Sequence, residues 1–361
     1  MIKTSILDAG KLQEFAKEHK LQPFRIKQIR QEIFKNQNID FAEMTTLSKD
    51  MREDLDSNFS VVTLQVDKIL EDKTSTKIFQ TRDGKMIEVV ILYHRQHEKY
   101  NKDEQEKLNR ITLCISSQVC PMCVFCVTGK LGFQRDLTRD EMISQILFAN
   151  NYIKQKFGKQ EDGTLFSVRN VVFMMGEPLL NYENVKKSIE IMLRQEAGFS
   201  LSRRHITIST AIIPIRQLIK DEIPVKLAIS LHAPNQILRD KLMPVAKAYP
   251  LEDLHKVLSD YVRSSDNRIF YEYIMIKNIT DTPELATQLV TILKGKLAHV
   301  NLIPYNTNPA INLIESDNNT MEQFKKILEK GITVTIRDSM GREMKGACGQ
   351  LGYEKLTKDN E

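Results

Sequence analysis

The sequence predicts an α/β protein in two parts: a parallel sheet closed or nearly closed into a barrel, preceded by a smaller, mostly helical domain. Three observations predict it. The chain has 361 residues, more than one ordinary core takes, so a large core plus an accessory domain is the starting expectation. Beyond residue 110, short β-rich runs alternate with helical patterns, the order that βαβ units produce. A charged stretch with almost no aliphatic residues, 95–110 (RQHEKYNKDEQEKLNR), separates that alternation from what precedes it.

The elements follow in chain order. Leu12, Phe15, Leu21, Phe24, Ile26, Ile29 and Ile33 recur at a helical spacing interrupted near Pro23, and 60–93 alternates toward strand. Expected strands then fall at 111–117 (ITLCISS), 170–174 (NVVFM), 205–210 (HITIST), 225–231 (VKLAISL), 269–276 (IFYEYIMI), 299–304 (HVNLIP) and 332–337 (ITVTIR). Helical patterns lie between them at 138–155, 181–196, 213–220, 250–264, 282–296 and 320–330. In such a barrel the reactive groups belong at the C-terminal ends of the strands.

Composition narrows the function classes. At 41% hydrophobic and 27% charged residues, with no run near the ~20 apolar residues of a membrane span, membrane and disordered proteins are excluded. MIKTSILDAGKLQEF holds no apolar stretch long enough for a signal peptide, so the expectation is a cytoplasmic protein. A net charge of +5 permits an anionic partner without demanding one. Arg25, Lys27 and Arg30, flanked by Lys20 and Lys35 against Glu32 alone, read equally as a solvated helix face or as a phosphate-contacting surface.

Of five cysteines, three fall within seven residues, Cys120, Cys123 and Cys126, which favours metal chemistry over a disulfide scaffold. Thiolates at this spacing suit zinc or an iron–sulfur cluster. A closed zinc site wants a fourth ligand, and no His or Cys follows before His205. Three thiolates on a four-iron cube instead leave one iron open to a substrate, and iron–sulfur is the favoured reading. Gly176 and Glu177 after NVVFMM, Ser209 in HITIST, Ser230, Leu231 and His232 at the end of LAISLH, and Asn306 after HVNLIPY all occupy expected strand ends. Taken alone, a GEP turn or a lone His is more often structural than functional.

Together, CISSQ, the cysteine triplet with FCVTGKLGFQRDLT, FMMGEPLLNYENV, HITIST, LAISLHAP with RDKLMPV, HVNLIPYN and ACGQL span 111–352. In this order they resemble the RlmN and Cfr family of radical S-adenosylmethionine (SAM) RNA methyltransferases. FRIKQI, IFK and LSKDMRE resemble that family's accessory domain. The resemblance implies a partial (β/α)6 TIM-like barrel over 111–345, an RNA-binding accessory domain over 1–95, a charged linker at 96–110 and a C-terminal segment, 346–361, that carries a methyl-accepting cysteine.

It also implies roles. Cys120, Cys123 and Cys126 hold a [4Fe-4S] cluster whose open iron is chelated by SAM, and Gly176, Glu177, Ser209, Ser230, Leu231, His232 and Asn306 bind that cofactor. Adenine C2 is electrophilic and cannot be methylated by simple displacement, so Cys348 first takes a methyl group from one SAM. A second SAM, making two per turnover, yields the radical that abstracts hydrogen from that methyl. Cys114 then releases the product by forming a disulfide with Cys348, and Glu88 in MIEVV serves as proton acceptor. The implied substrate is an adenine of 23S rRNA, with the adenine 3′ of the tRNA anticodon as a second target, and the implied electron donor is a flavodoxin or ferredoxin. Methylation at C8, the antibiotic-resistance branch, is the first alternative. A noncatalytic iron–sulfur RNA-binding protein is the second, but binding alone requires neither Cys114 nor Cys348.

The chain departs from the family pattern by lacking one glycine at each of five places: 119/120, 122/123, 174/175, 211/212 and 214/215. It has 14 glycines, where average usage gives roughly 25. Loss of one residue type with every flank intact points to a single codon read as glycine in the source, and one in-frame codon at all five gaps is the expected gene sequence. Uninterrupted reading across them would instead mean tightened loops, at a cost in backbone freedom.

Overall fold

Asp8 starts the N-terminal unit: its carboxylate accepts from the N–H groups of Gly10 and Lys11, at 2.9 and 3.1 Å, capping the helix Ala9–Glu18. Pro23 does more than interrupt the periodicity. It opens a second helix, Pro23–Phe34, at a position where its missing N–H costs nothing. A third helix, Lys49–Asn58, is capped by Ser48, and the short strands β1 (Thr4–Ser5) and β2 (Phe59–Ser60) pair in parallel. Leu12, Phe15, Ile29, Ile33, Met44 and Leu55 are buried in a core continuous with that of the barrel. The computed structural model of the protein describes residues 3–96, 107–119, 123–126, 133–212, 214–308 and 311–351.

Strands β3 (Gln65–Glu71), β4 (Ser75–Arg82) and β5 (Lys85–Gln96) form an antiparallel meander. Asp83 and Gly84, with φ of 50° and 72°, make the two-residue turn between β4 and β5, the positive-φ geometry that matches strand twist. Strand β6 (Lys107–Ser116) pairs antiparallel with β5 and parallel with β9 (Asn170–Met175). Then β10 (Ile206–Thr210), β11 (Lys226–Ser230), β12 (Ile269–Met275), β13 (Ala298–Pro304) and β14 (Thr333–Ile336) each add in parallel. The sheet order is β14-β13-β12-β11-β10-β9-β6-β5-β4-β3. A separate ladder, β7 (Gln118–Val119) with β8 (Arg135–Asp136), ties together the two ends of the segment that carries the cysteine triplet.

This is the expected partial (β/α)6 barrel. Strands β6, β9, β10, β11, β12 and β13 lead respectively to helices Arg139–Phe157, Tyr182–Leu193, Ile215–Lys220, Leu251–Ser265, Pro283–Leu293 and Asn318–Leu328, and β14 follows as an edge. The first of these helices starts where Thr138 and Glu141 form a reciprocal capping box, with Arg135 on the Glu141 carboxylate at 2.7 Å. Two findings differ from the sequence expectation. Lys107–Arg110, expected in the linker, is strand, and β3–β5, expected in the accessory domain, belong to the barrel's sheet. Val89, Ile91 and Tyr93 on β5 are buried, so that strand has an apolar face to add to the core. Among the described residues, no helix is long and apolar enough to cross a membrane.

The outer layer is packed tightly: Leu113, Val171, Ile208, Ile229 and Val300 are fully buried between sheet and helices, each stabilising the fold by about 1.5–3 kcal/mol. A closed barrel fills its interior with branched side chains. Here Cys114, Ser209, Ala228 and Ser230 leave it open, and they line a cavity. On β9, Ile115 of β6 opposes Phe173 and Ser116 opposes Met175, which leaves Met174 as an extra residue. That bulge, at one of the five glycine gaps, brings both Met174 and Met175 to the cavity wall.

Candidate active site

The cavity encloses about 500 Å³, the size that small-molecule and cofactor sites have. It brings together Cys114, Cys123, Cys126, Gly176, Glu177, Ser209, Ser230, His232 and Cys348. Leu231, Asn306 and Glu88 do not line it. Cys120 lies outside the described residues, and among those described no group of three His, Cys, Asp or Glu side chains is placed to hold a metal.

At the C-terminal ends of the strands a chain of hydrogen bonds frames the cysteine segment. Gly176 leaves β9 at φ +90°, and a Cβ there would lie 2.8 Å from Gln118 Cβ and 3.0 Å from its backbone nitrogen. Both conformation and space therefore require glycine, and Gly176→Ala is expected to cost about 1–3 kcal/mol in chemical denaturation; an unchanged midpoint would contradict the placement. Glu177 N–H donates to Gln118 Oε1 at 2.9 Å, while the Glu177 carboxylate accepts from Thr210 Oγ1 at 2.6 Å and Ala211 N–H at 2.9 Å. Burial pushes this carboxyl up to about 7 despite those bonds. The Ala211 carbonyl accepts from Arg239 Nη2 at 2.7 Å, and the helix carrying Arg239, Gln236–Leu242, offers the Leu242 carbonyl to Val124 N–H at 3.1 Å. The circuit thus runs from Gln118, just before the triplet, to Val124 within it.

The residues present fit an anionic, sulfur-ligated group. Arg239 Nε and Tyr305 Oη are buried donors without a partner among the described residues, and they lie near enough to Cys123 and Cys126, respectively, to feel a thiolate charge there. Such donors are what outer-shell positions around a thiolate centre supply. His232 holds φ +57° and stacks edge-on to Phe125 at 4.9 Å. Its Nδ1 accepts from Ile274 N–H at 3.2 Å, so the ring proton sits on Nε2. Burial pushes its pKa down to about 3, so the ring is neutral at pH 7.

Deeper in the barrel are the two remaining cysteines, both free thiols. Cys348 Sγ lies 3.8 Å from Met174 Sδ. Burial pushes the Cys114 thiol up to about 12 and raises that of Cys348 as well, against the pull of Arg337. Arg337 faces the Glu272 carboxylate at 3.5 Å, and Asn301 Nδ2 donates to the other Glu272 oxygen at 2.8 Å. Ser230, Glu272 and Asn301 occupy one register row across β11, β12 and β13.

Asn306, expected among the cofactor ligands, here holds the C-terminal loop: its Nδ2 donates to the Cys348 carbonyl at 2.9 Å and its Oδ1 accepts from Arg342 at 2.7 Å. Lys77 Nζ donates to the Lys345 carbonyl at 3.2 Å and pairs with Glu88 at 3.0 Å, both side chains being buried. By strand alternation Glu88 shares the face of Leu92 and His94, which line the cavity, so it sits behind the Cys348 loop rather than in the open site. Gly349, at φ +84°, brings that loop against the Phe125 carbonyl. Sequence reasoning missed Glu272, Asn301, Arg337, Arg239 and Lys77. Only Glu272 carried a signal, a carboxylate inside the apolar run IFYEYIMI.

Closely spaced cysteines held at the C-terminal mouth of an incomplete parallel barrel, above an open interior, define a radical SAM enzyme. A crystal structure of a radical SAM methyltransferase from Sphaerobacter thermophilus superposes with a TM-score of 0.85 at 32% identity, covering 96% of this chain and 98% of that one. Residues 6–61 match the family described as Ribosomal RNA large subunit methyltransferase N-terminal domain. A protein of Dictyoglomus turgidum named probable dual-specificity RNA methyltransferase RlmN is 41% identical over 335 residues, 91% of this chain and 90% of its own length. Its counterpart from Psychrobacter arcticus is 39% identical over 368 residues, 97% and 88% of the two chains. The chain belongs to the RlmN family of radical SAM RNA methyltransferases.

Proposed function

We propose that the protein methylates C2 of an adenine in 23S rRNA, with the adenine 3′ of the tRNA anticodon as a second substrate, through an S-methyl group carried on Cys348. The observation that carries this reading is the placement of Cys114 and Cys348 in the same cavity as Cys123 and Cys126, since RNA binding alone would need neither of the first two. The names of the relatives, dual-specificity RNA methyltransferases, support the substrate class.

Cys120, Cys123 and Cys126 would hold a [4Fe-4S] cluster, with SAM against Gly176–Glu177, Ser209, Ser230, Leu231 and His232, and Asn306 as a further contact. When bound, cluster and SAM supply one electron, drawn from a flavodoxin or ferredoxin in the cytoplasm, and a carbon radical able to abstract hydrogen. The chain's residues do the rest. Arg337 favours the thiolate that Cys348 needs to accept a methyl group, while burial keeps the resting form protonated. The Cys348 loop is clamped by Asn306 and Lys77, and the glycines beside it let it move between methyl loading and attack. Cys114, which lines the same cavity, would displace the methylated base from Cys348, the S–S bond forming as the S–C bond breaks. Glu88, paired with Lys77, would take the proton leaving the base.

Mass spectrometry of adenosines from cells gaining or lacking the gene tests the reading. 2-Methyladenosine that appears only with the gene is expected; 8-methyladenosine would overturn it.

A further inference from the structure

The cavity does not end at Cys114 and Cys348. It continues to the N-terminal ends of the strands, where His94, Arg110, Arg204 and Lys226 line it. Cys114 on β6 pairs with Val172, Val172 with Thr207 and Thr207 with Lys226, so Lys226 and the inner cysteine share one row across four strands. Arg110 sits four residues before Cys114 on the same face of β6, and both line the cavity. The opposite mouth is covered: Val124 N–H is bound to the Leu242 carbonyl, and Phe125 packs on His232.

Charge distinguishes the two ends. Among the described residues, the only carboxylates lining the cavity are Glu177, bound to Thr210 and Ala211, and Glu272, bound to Asn301 and Arg337. Among the described residues no acid pairs with Arg110, Arg204 or Lys226. Burial and the neighbouring Arg110 and Arg204 push the Lys226 ammonium below its usual range, and Arg169 adds to the same field at His205. Cations crowded at one rim without acids repel one another and raise the local concentration of any polyanion. By contrast, Lys27 of the N-terminal helix faces Glu196 at 3.6 Å.

We propose that RNA enters through this N-terminal mouth, with backbone phosphates flanking the target adenosine held by Arg110, Arg204 and Lys226 while the unstacked base reaches Cys348 from below. The inference rests on the RNA reading above and adds the direction of approach and the residues that grip. Enzymes that modify a base take it out of its stack, and single-stranded loops offer it at least cost. Phosphates at the rim position the strand without reading its sequence.

The test is the dissociation constant of an RNA stem-loop with a loop adenosine, measured from ~50 to ~200 mM salt. The proteins compared are wild type, Arg110→Gln/Arg204→Gln/Lys226→Gln, and an equal-charge control at exposed positions of the outer layer, Lys187→Gln/Lys326→Gln/Lys330→Gln. The rim variant is expected to bind at least about tenfold more weakly at low salt, with the slope of log K against log salt reduced by about 2, and the control to keep the wild-type slope. Arg110→Gln and Arg204→Gln, at exposed positions, should each lower the slope by about 1 and serve if the triple variant unfolds. A rim variant with wild-type affinity and slope overturns this inference alone. Wild-type protein that retains no RNA overturns the RNA reading together with it.

Discussion

Protein carrying Cys348→Ala is expected to leave its RNA unmethylated, while protein carrying Cys114→Ala becomes covalently joined to it. The two cysteines line one cavity, but only Cys348 sits on a glycine-flanked loop, Gly346 to Gly349, whose carbonyl at Cys348 accepts from Asn306. Cys114 is fixed on β6 and buried. A thiol that must first accept a methyl group and then carry it to a base has to move, and the one that resolves the adduct has to wait. Removing the carrier abolishes the covalent route, a loss of at least about a thousandfold in product. Removing the resolving thiol leaves carrier and base bonded, so RNA should migrate with the protein on a denaturing gel. Wild-type methylation by Cys348→Ala, or no adduct with Cys114→Ala, contradicts the assignment.

Lys77→Met is expected to destabilise the protein by about 3–5 kcal/mol, because it breaks the buried ion pair with Glu88. It also removes the donor to the Lys345 carbonyl and so loosens the anchor of the Cys348 loop. Lys77→Met/Glu88→Gln removes both charges and should recover most of that stability in urea melts. If Glu88 takes a proton during methylation, the double variant remains inactive although it is folded. A double variant that methylates at the wild-type rate would make the pair purely structural.

The alternation of strands and helices was legible because each barrel strand carries its own apolar run and each helix its own stripe; all seven expected strands from ITLCISS to ITVTIR are present. The helix Gln236–Leu242 was not legible. QILRDKL has no apolar stripe, and the helix is fixed instead by the Asn235 cap and by Arg239, whose guanidinium is buried against backbone carbonyls. Lys107–Arg110 read as linker because its charges signal solvent, yet these residues are the rim end of β6. The site divides in the same way. Gly176, Glu177, Ser209, Ser230 and His232 lie at strand ends, which sequence order alone locates. Glu272, Asn301 and Arg337 become neighbours only through the parallel register of β12, β13 and β14, and no spacing in the chain encodes that. Asn306 was expected to contact the cofactor; its amide instead donates to the Cys348 carbonyl and accepts from Arg342.

The central claim is that three cysteines hold a four-iron cube with one iron left open to SAM. Mössbauer spectroscopy on anaerobically reconstituted protein, prepared as the chain stands and with the five glycines restored, tests it most directly. The expected spectrum is that of a [4Fe-4S] cluster in which a single iron changes its signal when SAM is added. Bound zinc in place of iron, or a cube whose irons all ignore SAM in the glycine-restored chain, would contradict it.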